Sequence, residues 1–484
     1  MDRRHPFQAL SPRARRLLVQ ANLWTSILLA GALFGMTVYL SSRHFSRRHW
    51  SRNPDAHLSG RTRQLLEDTA ADIRISVLLR PGHEAYRSTI RLLQEYAAAT
   101  PGLALEAIDP DRDLARTEGL VRRYNLPPAE GVVFEIGGRH RLVPADSLIE
   151  RLPLLNRSGA TRRVFRGEQL FSSAIYALTR ADRPAVLFLQ GHGERSPEDF
   201  DRRSGYSRIA ARLRDDNLDL ELLNLGETKT IPGHCALLVI AGPVREFAPF
   251  EIAQLRDYLD RKGRLLLLLD ARTPTGLEPL LLDWGVLLGG DVVVDETRTL
   301  GGRELYVSEY NPHPITGPLD HLASVFHLPR SVRPQPAPPE ADKPFVLPLA
   351  SCSAAGWAEF DPDDPALHFD PRVDIAGPVP VAVAVERGPV PGVHVQIRPT
   401  RLVVFGDSDF AANGGLMGAN ADLFLNAANW LLDRQELLAL PPRTLDEIQV
   451  VLDARQLRRL FLAVVVCLPG LVAAAGLWVA WRRR

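Results

Sequence analysis

A chain of 484 residues is long enough for two or three domains with their own cores. Its 45% hydrophobic and 24% charged content is that of folded protein. A net charge of +1 excludes the broad basic field that nucleic-acid binding uses, so no nucleic-acid partner is expected.

Ala21–Leu40, ANLWTSILLAGALFGMTVYL, carries no charge. At 1.5 Å rise per residue, about 20 apolar residues span a hydrocarbon core of ~30 Å. No A-x-A cleavage site follows, so the run reads as a retained transmembrane helix (residues 21–41) rather than a signal peptide. Leu460–Trp481 is a second uncharged run, with Trp478 and Trp481 suited to a membrane interface. Two spans put both ends on one side of the bilayer. The expected arrangement is a cytoplasmic tail at residues 1–20, with the central region outside the cytoplasmic (inner) membrane.

Between the spans, DIRISVLLRPG reads as a strand, Glu84–Ala99 as a helix and LALEAIDP as a second strand. Asp111–Tyr124 reads as a helix, and GVVFEIGGRHRLV as a hairpin turning at Gly137-Gly138. The order β-α-β-α-β-β over residues 55–150 resembles a thioredoxin-like fold. Where that fold would carry a CxxC, this chain has RPGHEAYR, so the resemblance implies a binding or spacer module without redox chemistry.

Phe165–Pro184 reads as a connecting helix, and PAVLFLQ, LDLELLNL, CALLVIAGP and GRLLLLLD as strands. Helices are expected at Arg202–Asn217 and Pro249–Lys262. Near-continuous apolar runs alternating with helices predict a parallel sheet covered on both faces. Residues 313–392 are proline-rich and read as loops, with an exposed excursion before Phe345. TRLVVFGDSDF then returns a strand to the sheet, and ANADLFLNAANWLLDR reads as a helix. The second α/β domain therefore covers residues 165–440, a parallel sheet that resembles amidotransferase-like or flavodoxin-like domains, with linker 441–459 before span 460–481.

Open α/β sheets bind ligands beyond the carboxyl ends of their strands. Four such ends, QGHGE, AGP, LDART and GDSDF, gather a candidate rim of Gly191, His192, Gly193, Glu194, Asp270, Asp407, Ser408 and Asp409. A histidine among carboxylates suits acid–base chemistry or a divalent metal. The plainer reading has Gly191 and Gly193 forming a tight turn, His192 capping backbone groups and the acids capping helices. Gly-Asp-Ser resembles the nucleophile block of GDS-type esterases. No histidine follows His394, so Ser408 lacks their general base. There is no G-x-S-x-G and no G-x-x-x-x-G-K-[ST]. His313, between two prolines, reads as structural. Cys235, Cys352 and Cys467 form no CxxC and no zinc spacing. Cys235 and Cys352 are expected to be buried free thiols. No catalytic residue, metal or cofactor is expected.

In chain order, HLSGRTRQLLEDTAADIRISVLL, FRGEQLFSSAIYAL, VLFLQGHGE, LLVIAGP, YLDRKGRLLLLLD, NPHPIT, VVFGDSDFAANG and NADLFLNAANWL lie between the two spans. The set resembles the GldG-like auxiliary components of ABC-type transport systems, named for gliding motility. The resemblance implies a non-enzymatic, membrane-tethered extracytoplasmic protein working with a separate ABC permease and ATPase. The alternatives are a membrane-anchored hydrolase or metal-dependent enzyme using His192 and Asp407, and an envelope scaffold.

Overall fold

The computed structural model describes residues 12–43, 58–69, 72–100, 102–127, 130–153, 161–180, 183–299, 303–319, 322–336, 343–361, 368–388, 399–434, 443–444, 465 and 468–482. The chain divides into two units, Met1–His57 and Leu58–Arg484. The first contains helix α1 (Pro12–Arg43), 32 residues long. Among its described side chains, Leu23, Trp24, Leu28, Leu33 and Phe34 are exposed. Among the described residues no helix is long and apolar enough to cross a membrane. The run Ala21–Leu40 lies within α1. Of Leu460–Trp481, residues 460–464 and 466–467 lie outside the described set, as do residues 1–11 of the expected tail, Cys467, most of linker 441–459 and residues 337–342 of the proline-rich excursion.

The second unit opens with α2 (Gly60–Asp68), β1 (Ile73–Leu78), α3 (Tyr86–Ala99), β2 (Leu103–Ile108), α4 (Leu114–Tyr124), β3 (Gly131–Ile136) and β4 (Arg139–Pro144). These strands form a sheet in the order β2-β1-β3-β4. β1 runs parallel to β2 and antiparallel to β3. Gly137 and Gly138 turn the β3–β4 hairpin, both at positive φ, as two-residue hairpin turns require. The hairpin β5 (Ile149–Pro153) and β6 (Thr161–Phe165) leads into α5 (Gly167–Thr179). That helix packs Phe171 and Ile175 into the core beneath β1 and β3. Two segments far apart in sequence attach to one stretch of backbone. Ser59 donates its backbone N–H to Glu168 at 2.8 Å. Near the other end of the sequence, β21 (Arg443–Thr444) pairs with Phe165 and Val164 of β6.

The larger layer contains β7 (Ala185–Leu189), α6 (Ser207–Asp215), β8 (Asp219–Leu223), α7 (Leu225–Thr228), β9 (Cys235–Ala241), α8 (Pro249–Asp260), β10 (Arg264–Leu268) and α9 (Glu278–Asp283), followed by the short strands β11 (Val286–Leu288), β12 (Val292–Val294) and β13 (Glu304–Val307). After the stretch expected as loops come β20 (Thr400–Phe405) and α10 (Asn420–Leu431). β20, β10, β9, β7 and β8 lie side by side and parallel. β7, β10 and β20 are buried along their whole length, which explains their unbroken apolar sequence. Alternate residues serve opposite faces. Val186, Phe188, Leu266 and Leu268 pack toward α6 and α10. Leu187, Leu189, Leu265 and Leu267 pack toward α8 and α9.

Two expectations are corrected. Within residues 313–392 the structure has strands where loops were expected: β14 (Ser324–His327), β15 (Val332–Pro334), β16 (Phe345–Ser351), β17 (Trp357–Glu359), β18 (Ile375–Ala376) and β19 (Pro380–Arg387). β19 pairs antiparallel with β20, and β16 with β19, so the sheet has seven strands in the order β16-β19-β20-β10-β9-β7-β8. The prolines are accommodated because Pro348 sits in an edge strand next to a register shift, and Pro380 opens its strand. The helix expected from Arg202 begins only at Ser207. The segment before it is held in turns, with Asp201 Oδ1 accepting from the backbone of Arg203 (2.9 Å) and Ser204 (2.8 Å).

Polar contacts join the two layers. Ser173 donates to Asp216 at 2.8 Å, and Arg141 donates to the Asp215 carbonyl at 2.7 Å. Arg212 pairs with Glu150. Charges this deep hold a fold only when paired.

Candidate functional site

Parallel neighbours deliver their carboxyl ends to one edge of the sheet. The ends of β7, β9, β10 and β20 are therefore consecutive along the rim. Gly191 (φ +135°) and Gly193 (φ +83°) turn the chain after β7. A Cβ at Gly193 would lie 2.4 Å from Val244 Cγ2, so the close approach of the β9 loop requires glycine. That loop is fixed by Val244 N–H donating to the His192 carbonyl at 2.9 Å.

The histidine is held on both sides. Its Nδ1 lies 3.2 Å from Glu194 Oε1, and its Nε2 3.0 Å from Glu251 Oε2. Its backbone N–H donates to Glu194 Oε2 at 2.7 Å, and its ring stacks on Phe247 at 4.1 Å. The expectation that His192 caps backbone groups is reversed: Glu194 caps the histidine. Glu251 also accepts from Ala248 N–H at 2.8 Å, which ties the imidazole to the first turn of α8.

A second cluster surrounds Ser408. Its backbone N–H and its hydroxyl donate to the two oxygens of Asp270, at 2.6 and 2.8 Å. Arg195 Nε donates to Ser408 Oγ at 3.3 Å, and the Arg195 guanidinium pairs with Asp409. Gly242 (φ +60°) leaves room for this pair, since a Cβ there would lie 2.5 Å from Ser408 Oγ. Burial pushes the Asp270 carboxyl up, against the pull of the Ser408 hydrogen bonds. Asp407 is also buried. It accepts from the backbone of His327 and Asp409, both at 2.7 Å. Burial, reinforced by the nearby Asp270 charge, raises its carboxyl well above the usual range.

The rim foreseen as one group is thus two clusters on consecutive strand ends. His192 and Glu194 lie against α8, Gly193 against Val244 of the loop before it, and Gly191 toward Asn224. Asp270, Ser408 and Asp409 meet around Arg195, and Asp407 turns toward the strand β14. Sequence reasoning missed Arg195, Phe247 and Glu251. Glu251 had a local signal, as an acid in the first turn of a helix opened by Pro249. Among the described residues no group of three or more His, Cys, Asp or Glu side chains could hold a metal ion.

Other candidates resolve separately. His313 Nδ1 accepts from Ile315 N–H at 3.2 Å, and its ring meets Trp430 edge-on at 4.9 Å. Burial lowers it to about 4, so it is neutral at pH 7 and acts in the packing. Cys235 and Cys352 are free, but Cys235 is only half-buried. Beyond β1 and β2, at the RPGHEAYR segment, lies an open cleft of about 690 Å³ lined by Arg80, His83, Asp109 and Asp111 among others.

A family model described as an ABC-type uncharacterized transport system matches residues 183–431. Among solved structures, the mmIFT52 N-terminal domain is similar at 19% identity, over 51% of this chain and 97% of its own, with a TM-score of 0.37. A putative GMP synthase subunit from Thermoplasma acidophilum is similar at 11% identity, over 53% and 98%, with a TM-score of 0.28. No curated protein matches the chain.

Proposed function

The chain belongs to the family of ABC-type uncharacterized transport systems, as an auxiliary component, and from that premise we propose that it is a membrane-anchored, extracytoplasmic, GldG-like subunit without ATPase or other catalytic activity. The family match carries the reading, because it covers the larger α/β layer from β7 to α10. The proposed partners are an ABC permease and ATPase, and the lipid bilayer. Two features support anchoring. Helix α1 displays Trp24, Leu28, Leu33 and Phe34 to solvent, surface that water disfavours and hydrocarbon accepts. Leu460–Trp481 is uncharged and of spanning length. The thioredoxin-like layer acts as a spacer or binding module, and the strand-end rim from Gly191 to Asp409 faces a ligand or partner.

Full-length protein purified in mild detergent from its native membranes should carry both a multi-span permease and an ATPase. Recovery of neither would sink the proposal and leave the scaffold reading. A cysteine replacing exposed Arg112 should react with a membrane-impermeant maleimide in cells whose cytoplasm remains sealed. The alternative, a hydrolase or metal-dependent enzyme, would use the rim around His192 and Asp407. His192→Ala and Asp407→Ala chains that fold normally and keep their function would sink it.

A further inference from the structure

A cavity of about 340 Å³ lies against the three-stranded sheet β12-β17-β18, within the size range of small-ligand sites. Trp357, Phe369, His368 and Glu296 are among the residues that line it. The register of the sheet opens it. Trp357 stands in β17 opposite Val294 of β12 on one side and Ala376 of β18 on the other. Val294 packs in one cluster with the indole, whereas the small Ala376 leaves room beside it that the cavity occupies. Trp357 and Phe369 form a corner, with ring centroids 6.3 Å apart and planes at 62°.

Both walls of the corner are held. The Trp357 Nε1–H donates to Glu359 at 3.0 Å, which satisfies the polar edge of the indole. After Phe369 the chain is pinned by Asp374, whose carboxylate accepts from the backbone of Asp370 at 2.8 Å and of Phe360 at 3.2 Å. The Phe369 side chain stays 43% exposed, so ring surface is left to meet a ligand. Among the described residues lining the cavity there is no lysine or arginine, and Glu296 supplies a carboxylate. In the segments around it Glu359, Asp361, Asp370 and Asp374 outnumber Arg372. Such a field repels anions. A sugar needs many hydrogen-bonding groups, and the lining offers only Glu296 and His368 as polar side chains. Aromatic faces attract a cation, and methyl groups on that cation add apolar contact.

We propose that the Trp357–Phe369 corner, with Glu296 at its side, binds a small ligand that carries a methylated ammonium group. The site goes beyond the transport-subunit reading, and its test stands whether or not a permease and ATPase co-purify. Choline is titrated calorimetrically into the full-length chain in a non-ionic detergent, beside its neutral isostere in which a tert-butyl group replaces the trimethylammonium. Choline should bind about tenfold or more tightly than the isostere. Phe369→Leu keeps an apolar wall and removes the ring, and should weaken choline about tenfold. Glu296→Gln should weaken choline and leave the isostere unchanged. Phe369 and Glu296 are exposed, so folding should be unaffected, as the thermal midpoint checks. No binding of choline, equal binding of the two compounds, choline binding that both substitutions leave unchanged, or displacement of choline by glucose would overturn the proposal.

Discussion

Ser408 and Asp270 meet through two hydrogen bonds, one from the backbone nitrogen and one from the hydroxyl, each to a different carboxylate oxygen. The pair joins the ends of β10 and β20, 138 residues apart in sequence. Both residues are sheltered from water, so removing the acceptor strands two donors. Asp270→Ala is expected to cost about 2–4 kcal/mol of stability. Asp270→Asn, which keeps one acceptor oxygen, should cost less. Denaturant midpoints of the two variants test this, and equal losses would contradict it.

The Gly193 turn makes a separate prediction. Gly193→Ala faces both positive φ and the 2.4 Å approach to Val244 Cγ2, so a loss of about 1–3 kcal/mol is expected. Val244→Ala in the same chain removes the clash but leaves the backbone strain. The double variant should recover only part of the loss. Full recovery would show that φ at residue 193 costs nothing.

Acid stability should carry the mark of His313. Its folded value is about 4 against an ordinary value of 6.5. The unfolded chain therefore takes up the proton first. The stabilisation is complete above pH 6.5 and is lost as the pH falls from 6.5 to 4. Discounted for partial exposure of the ring, the loss is about 2 kcal/mol. Asp270 and Asp407 work in the opposite sense: their raised values favour the fold at low pH, and that contribution fades as the pH rises through their folded values. His313→Gln should flatten the decline between pH 6.5 and 4 relative to the parent chain. Parallel curves would remove His313 as its source.

The thiols should be quiet. Cys352 is buried, with Sγ accepting from Val379 N–H at 3.1 Å, and burial pushes the Cys235 thiol up to about 11. A Cys467→Ala chain at pH 7 should react slowly with maleimide while folded and take up two labels in denaturant. The same count without reductant is expected, because the two cysteines are free. A count of zero without reductant would reveal a disulfide.

What the sequence disclosed depended on how local each signal was. β7, β10 and β20 announce themselves as apolar runs, and Gly191 and Gly193 mark their turn directly. β16 and β19 were hidden inside a stretch whose many prolines read as loops, and only the edge position of β16 makes its Pro348 harmless. At the site, the residue types were legible and the partnerships were not. His192 finds Glu251 across 59 residues, and no spacing rule connects them. The split of the rim into two clusters follows from which neighbour each strand end has, a property of sheet order rather than of any short segment.

The stretch of backbone where Ser59 meets Glu168 and Arg443 meets Phe165 has a mechanical consequence. The attachment points lie three residues apart on one continuous stretch of backbone. Tension drawn between residues 59 and 444 would run through that stretch and bypass the seven-stranded sheet, as a short strap spares the load it fastens. Stretching single molecules between these residues should show an early, low-force release of the strap before the sheet yields. A single high-force rupture would mean that the load reaches the sheet first.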